Sequence, residues 1–374
     1  MNVPQLNIGN LSAKLPIIQG GMGVRVSLAP LAAAVANEGG IGTISSIGLA
    51  DVKLSGANFL RNSLEALRKE IRLAQSITQG HLAVNVMGVT CNAYDLVRTA
   101  VEEGIEMIAF GAGLPLKLPA LVEDPDVNLV PIISSPRAAS LILRTWHKKY
   151  NRSVSAFILE GPLAGGHLGF STEQLQHPEQ FTHEILLPEL LLAVKPFEDI
   201  YGKKIPVIAA GGIFSGFDIA RMLQLGASGV QMGTRFVCTE ECSVSSEFKQ
   251  AYLDAKEEDI IIVKSPVGMP GRAIRNRFIR SVENREKGRI KCAFRCLSAC
   301  KIENARYCIA EALLNSYSGD VDRGLIFCGQ NASRIKHIVT VKRLMDELVI
   351  ELEQNLTSKT QHQEMTQAYQ QVSL

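Results

Sequence analysis

No stretch of the 374-residue chain approaches the roughly 18 consecutive apolar residues that a membrane-spanning helix needs, so no contact with a membrane is expected. Neither charge sign dominates. The 39 Lys and Arg nearly balance the 37 Asp and Glu, leaving a formal net charge of +2. That balance lacks the basic footprint of a nucleic-acid binder and gives no pull on an acidic partner. Aromatic residues are scarce, at 6 % with a single Trp, while 46 % of the chain is hydrophobic. Aliphatic side chains must therefore fill the core, as they do in a large buried parallel sheet. The first residues show no basic start followed by an apolar stretch, so no signal peptide is expected. Eight cysteines are present but no CxxC pair. In a large chain without an export signal they argue against a disulfide framework and for a reducing, cytoplasmic setting.

What is present is a regular alternation. Short apolar runs cover residues 16–20, 41–45, 82–87, 107–110, 129–134, 156–160, 206–210 and 229–233, separated by amphipathic helical stretches. Eight parallel βαβ units closing on themselves give a (β/α)8 TIM barrel, an α/β fold. A doubly wound open sheet is the architectural alternative. The expected domains are a barrel over residues 1–236, a small, mostly helical second domain inserted after strand eight over residues 237–330, a closing helix over 331–355, and a polar tail over 356–374. In the closing helix Val341, Leu344, Met345, Leu348 and Leu352 share one face. The Gln-rich stretch after Gln354 suggests a loose tail.

Several strand ends carry residues suited to chemistry. Gln19-Gly20-Gly21-Met22-Gly23 follows strand one, where missing Cβ atoms let backbone approach a flat ring; alone it also reads as a tight turn. Gly211-Gly212 follows strand seven, with Ser215 and Asp218 spaced as a capping box at a helix start, where phosphate is favoured. Gly233-Thr234 follows strand eight. Loops seven and eight are where barrels usually hold phosphate. Gly161-Pro162-Leu163-Ala164-Gly165-Gly166-His167 follows strand six, and His167 alone among seven histidines lies in a glycine-rich loop at a strand end. An imidazole there suits a general base or a hydrogen-bond donor. Asn85 is a polar residue inside an apolar strand and needs partners, whether a ring edge or neighbouring backbone. Ser134, Ser135 and Glu160 are weaker candidates of the same type, and Gly329 and Gln330 are further candidates for contacts at the site's mouth. Cys292, Cys296 and Cys300 are spaced by four and would stack on one helix face, with Cys308 and Cys328 following. Thiolates so grouped can bind zinc or an iron–sulfur cluster, but the spacing matches no ferredoxin or zinc-ribbon pattern, and free cysteine is also a common core residue. No metal is assigned.

Five of these segments, in this order, resemble the nitronate monooxygenase family, once called 2-nitropropane dioxygenases, whose relatives are the flavin-type enoyl-acyl carrier protein reductases. They are residues 16–23, 84–87, 164–167, 210–213 and 232–236; residues 271–276 add a sixth beyond the barrel. The resemblance implies a TIM barrel, one non-covalent FMN and a helical domain over the flavin. It places Gln19, Gly20, Gly21 and Met22 along the ring, Asn85 at its edge, Gly165 and Gly166 in the loop that leads to a catalytic or substrate-orienting His167, and Gly211, Gly212, Gly233 and Thr234 around the phosphate. The chain departs from the family's Glu-Ala-Gly-Gly-His pattern, since Leu163 stands where a carboxylate is usual. The implied activity is oxidation of alkyl nitronates by dioxygen. NAD(P)H-dependent reduction of an enoyl thioester or a quinone is the rival within enzymes, and a flavin-binding redox sensor without turnover is the rival outside them. A homodimer is the expected assembly only because such dimers are common.

Overall fold

A computed structural model describes residues 3–372 except 52, 53, 55, 285–289, 291, 293, 299 and 304, with backbone alone from 357 onward. The chain opens with a small antiparallel hairpin, β1 (Leu6–Ile8) and β2 (Leu11–Ala13). Eight parallel strands then form one sheet: β3 (Ile17–Gln19), β4 (Gly42–Ser45), β5 (Leu82–Met87), β6 (Met107–Gly111), β7 (Asn128–Ile133), β8 (Phe157–Glu160), β10 (Val207–Ala210) and β11 (Gly229–Met232), with β9 (Gly166–His167) lying outside it. The sheet closes on itself. Val230 pairs with Ile17 on one edge of β3, and on the other edge Gln19 N–H donates to the Ile41 carbonyl at 2.9 Å while Ile41 N–H donates to Ile17 at 3.0 Å. Closure rules out the doubly wound alternative.

The helices of the barrel are α1 (Ala29–Asn37), α2 (Gly56–Ile77), α3 (Ala93–Glu102), α4 (Leu118–Leu121), α5 (Pro136–Tyr150), α6 (Thr172–Gln176), α7 (His183–Tyr201), α8 (Gly216–Gln224) and α9 (Thr234–Val237). Side chains on successive strand residues point to opposite faces. Ile17 accordingly packs toward the helices, in one apolar cluster with Leu31 and Val35, while Ile18 points into the barrel with Ala83, Met107 and Ile158. The β1–β2 hairpin belongs to that interior cluster. Leu6, Ile8, Leu11 and Ala13 are buried against residues at the starting ends of the strands, so the hairpin fills the N-terminal end of the barrel. Its signal was readable as alternating Leu6, Ile8 and Leu11, Ala13 about a Gly9-Asn10 turn, with Gly9 at φ +56°.

The inserted unit contains α10 (Ser246–Asp254), α11 (Arg277–Glu283) and α12 (Ile309–Tyr317), so its described residues hold more helix than strand. Sequence reading missed its hairpin, β12 (Ile260–Lys264) and β13 (Pro270–Ile274). β13 also pairs antiparallel with β9, setting Gly271 opposite His167. The run Ile260, Ile261, Ile262, Val263 is β-branched throughout, a strand signal. Where Cys292 to Cys300 would stack on a helix, the described residues from 290 to 300 are not helical.

The last helix, α13 (Val341–Val372), returns to the barrel between α8 and α1. Its predicted face is buried, with Leu348 fully so. Helical backbone continues through the segment expected as a loose tail; glutamine and glutamate are good helix formers, and residues 355–372 contain neither Gly nor Pro. The approach to α8 is close: a Cβ on Gly216 would lie 2.4 Å from the Leu348 carbonyl oxygen. Leu348→Ala is expected to destabilise the fold by about 2–5 kcal/mol, measured by denaturant unfolding; a change under about 0.5 kcal/mol would show that the helix does not seal the barrel.

Candidate active site

The C-terminal ends of the strands open into a cavity of about 490 Å³. Of the residues expected at a site, Gly20, Gly21, Met22, Asn85, Gly165, Gly166, His167, Gly211, Gly212, Gly233 and Thr234 line it. So do Ser134, Ser135, Glu160 and Gly329, whereas Gln330 does not. Gln19 is the correction. It is completely buried beneath the cavity; its amide donates to Ser27 Oγ at 2.8 Å and to the Gly20 carbonyl, and accepts from Thr43 N–H at 3.0 Å. With its amide spent on the protein, Gln19 braces the glycine loop from below instead of touching a ligand.

The glycines lie where a side chain would not fit. A Cβ on Gly21 would fall 2.2 Å from the Asn85 Cβ. Gly211 and Gly212 have φ of +92° and +80°, and a Cβ on Gly211 would meet Ala164 N at 2.9 Å. Neither glycine's N–H has a partner within the described protein. Below them α8 starts with the expected capping box, Asp218 N–H donating to Ser215 Oγ at 3.3 Å and Ser215 N–H to Asp218 Oδ2 at 2.9 Å. From the inserted side, Gly329 N–H donates to Thr234 Oγ1 at 3.1 Å and Asn331 to the Gly212 carbonyl at 2.7 Å. Two further groups in the cavity wall await a partner. The side-chain amide of Asn85 makes no hydrogen bond among the described residues, and Gln231 Oε1 is buried without one. Unpaired N–H groups beside a glycine pocket suit phosphate. An unsatisfied amide and an unsatisfied carbonyl in a mostly apolar wall suit the edge of a heteroaromatic ring.

Titratable groups here are held neutral. Burial lowers the His167 pKa to about 4, so the imidazole carries no charge at neutral pH. No carboxylate opposes this, in keeping with Leu163 replacing the usual acid. Glu160, at the end of β8, is raised to about 8, chiefly by burial, against the Gly169 N–H and the Arg272 guanidinium, which favour its charged form. Arg272 on β13 is itself buried and donates to the Ala164 carbonyl.

The inserted unit roofs the cavity with apolar residues, among them Met269, Ile309, Ala310, Leu313, Leu314 and Phe327. Cys296 and Cys328 also reach it, both with burial pushing the thiol up to about 12. All eight cysteines are free thiols, and among the described residues no group of three or more His, Cys, Asp or Glu is arranged to hold a metal ion.

A family-wide sequence model for nitronate monooxygenases matches residues 5–351. The chain belongs to the nitronate monooxygenase family. Members are oxidoreductases, and the placement of the glycine loops and His167 around one cavity fits that assignment. The chain is 30 % identical over 274 residues to the (3aS,4S,5R,7aS)-5-hydroxy-7a-methyl-1-oxo-octahydro-1H-indene-4-carboxyl-CoA dehydrogenase of Mycobacterium tuberculosis, a match covering 73 % of this chain and 67 % of that protein. It is 27 % identical over 310 residues to the "Probable nitronate monooxygenase" of Staphylococcus saprophyticus, covering 73 % and 79 %. The structure of FabK from Thermotoga maritima superposes with a TM-score of 0.72 at 29 % identity, covering 94 % of this chain and 96 % of that one.

Two outcomes follow for members of this family built like this one. Gly211→Ala, forced to φ +92°, is expected to lose bound flavin while staying folded, read as flavin absorbance per protein with circular dichroism as control; full occupancy would remove the glycine cradle from ligand binding. For Glu160, the carboxyl is protonated in the folded protein up to about pH 8 but ionises near its ordinary pKa of roughly 4.3 when unfolded. The unfolded state therefore holds fewer protons between these values, and stability must fall as pH rises through that window. Glu160→Gln should flatten that decline in melting temperature, and an unchanged slope would mean the carboxyl is already ionised.

Proposed function

We propose that this protein is an FMN-dependent oxidoreductase that oxidises alkyl nitronates with dioxygen. The observation that carries the proposal is the one cavity lined together by a neutral, partly buried His167, an unpaired Asn85 amide and the Gly211-Gly212 cradle. Family membership supports the same reading. Gly211, Gly212, Gly233 and Thr234 would hold the FMN phosphate, and Gly20, Gly21, Met22, Asn85 and Gln231 would face the ring. FMN supplies the electron-transfer chemistry when bound. The chain's own residues orient the substrate, exclude water and present His167 to it. A neutral imidazole in a low-dielectric site interacts strongly with an oxygen that bears negative charge, and a nitronate has two such oxygens.

A second reading is favoured by two observations. Besides the glycine loops, the cavity is lined by apolar side chains that include Met269, Ile309, Leu313, Leu314 and Phe327, and a relative 30 % identical is a CoA dehydrogenase. On this reading the substrate is an acyl thioester whose carbonyl oxygen takes the place of the nitronate oxygens, with NADH or NADPH as reductant. Residence in the cytoplasm fits either substrate, and no described helix is long and apolar enough to cross a membrane.

Anaerobic stopped-flow on the purified holoprotein separates the readings. Bleaching of the flavin by propyl nitronate, with NADH and NADPH inert, is the expected result. Rapid bleaching by either pyridine nucleotide would replace it with the thioester reading. His167→Ala is expected to lower kcat by roughly 10²–10⁴-fold with FMN occupancy intact. Unchanged turnover in that variant would leave a flavin-binding protein in which the histidine has no part in chemistry.

A further inference from the structure

His167 has two ring nitrogens, and the protein engages one. Nε2 lies 2.7 Å from the Ser265 hydroxyl, and Nδ1 makes no hydrogen bond among the described residues. Ser265 opens the turn between β12 and β13. Its N–H donates to the Met269 carbonyl at 3.3 Å, and its own carbonyl accepts from Gly268 N–H at 3.0 Å, with Gly268 at φ +87°. The strand that follows pairs Gly271 with His167, and Leu168 N–H donates to the Pro270 carbonyl at 2.9 Å. The register thus sets this turn against the imidazole. Phe327 packs edge-on against the same ring at 4.9 Å between centroids.

The hydroxyl's other bond gives the direction. Ser265 Oγ also accepts the Val267 N–H at 3.3 Å. A serine hydroxyl has one proton to donate and two lone pairs. If Oγ accepted a proton from Nε2 as well, its own O–H would have no acceptor among the described residues, and an unmade hydrogen bond is costly even in a partly buried site. Donation from Oγ to Nε2 satisfies both atoms and leaves the ring proton on Nδ1.

We propose that Ser265 is a positioning residue that fixes His167 as its Nδ1–H tautomer, so that the histidine meets the substrate as a hydrogen-bond donor and not as a proton acceptor. The proposal rests on the reading that His167 serves the reaction. The substrate class it selects is a preformed oxygen anion, such as a nitronate or an enolate. A neutral nitroalkane, which must first lose a proton to a base, is disfavoured.

The test is ¹⁵N NMR of the histidine-labelled holoprotein, with His167→Gln used to assign the signal. A protonated Nδ1 and an unprotonated Nε2 are expected in the wild type, a mixture of tautomers in Ser265→Ala, and a single tautomer again in Ser265→Thr. In parallel, Ser265→Ala should lose roughly 10- to 100-fold in kcat with KM within about threefold and FMN occupancy unchanged, and Ser265→Thr should recover most of it. A protonated Nε2 in the wild type, or a tautomer indifferent to Ser265→Ala, overturns the proposal whatever the activity. A wild-type Nδ1–H signal together with no turnover of nitronate or thioester would sink the proposed function and leave the tautomer assignment standing.

Discussion

Two backbone hydrogen bonds, linking Gln19 and Ile17 of β3 to Ile41, turn eight parallel strands into a closed barrel. Everything at the site depends on that closure. It arranges the loops after β3, β5, β8, β10 and β11 around one opening, so glycines nearly two hundred residues apart form a single wall. Closure is helped by small residues at the seam. A Cβ on Gly42 would lie 1.8 Å from the Ala32 carbonyl oxygen, so α1 can lie flat on β4 only because that position has no side chain. Buried Gln19 stitches the same seam, reaching Thr43 on the neighbouring strand and Ser27 in the loop above.

Much of this was legible in the sequence because barrel strands, buried on both faces, read as uninterrupted apolar runs that end in turn residues. The glycine loops and His167 could be placed for the same reason: each stands at the end of such a run. What could not be read was pairing between segments remote in sequence. Ser265 lies 98 positions from His167, and nothing local marks it as the histidine's partner; the β-branched run over 260–263 signalled a strand but not its neighbour. Gln19 misled in the opposite way. Proximity to a glycine loop suggests a ligand contact, yet strand alternation turns its side chain to the same side as Ile17, away from the barrel interior, and the protein consumes its polar atoms. Glu160 was a weak candidate as a polar residue at a strand end, but its raised pKa follows only from burial that the fold creates.

The chemistry is shaped by how little charge the cavity holds. A neutral histidine and a protonated glutamic acid line it, and Arg272 beside them is spent on a backbone carbonyl. In such surroundings one oriented hydrogen bond to a negative oxygen acts with little competition from solvent or from fixed counter-charges. Replacing the usual acid by Leu163 fits this economy, since a carboxylate there would favour the imidazolium. The inserted unit contributes by covering the opening with aliphatic side chains and by carrying, on β13 and in the turn before it, the residues that grip the histidine.

The hairpin at the start of the chain has a bearing on traffic. With Leu6, Ile8, Leu11 and Ala13 packed into the far end of the barrel, the described residues close that end. The cavity opens instead at the C-terminal ends of the strands, beneath the inserted unit, and what reacts there and what leaves share that side. A spent molecule that lingers therefore blocks its successor, and residence time in that cavity becomes a property on which the catalytic cycle turns.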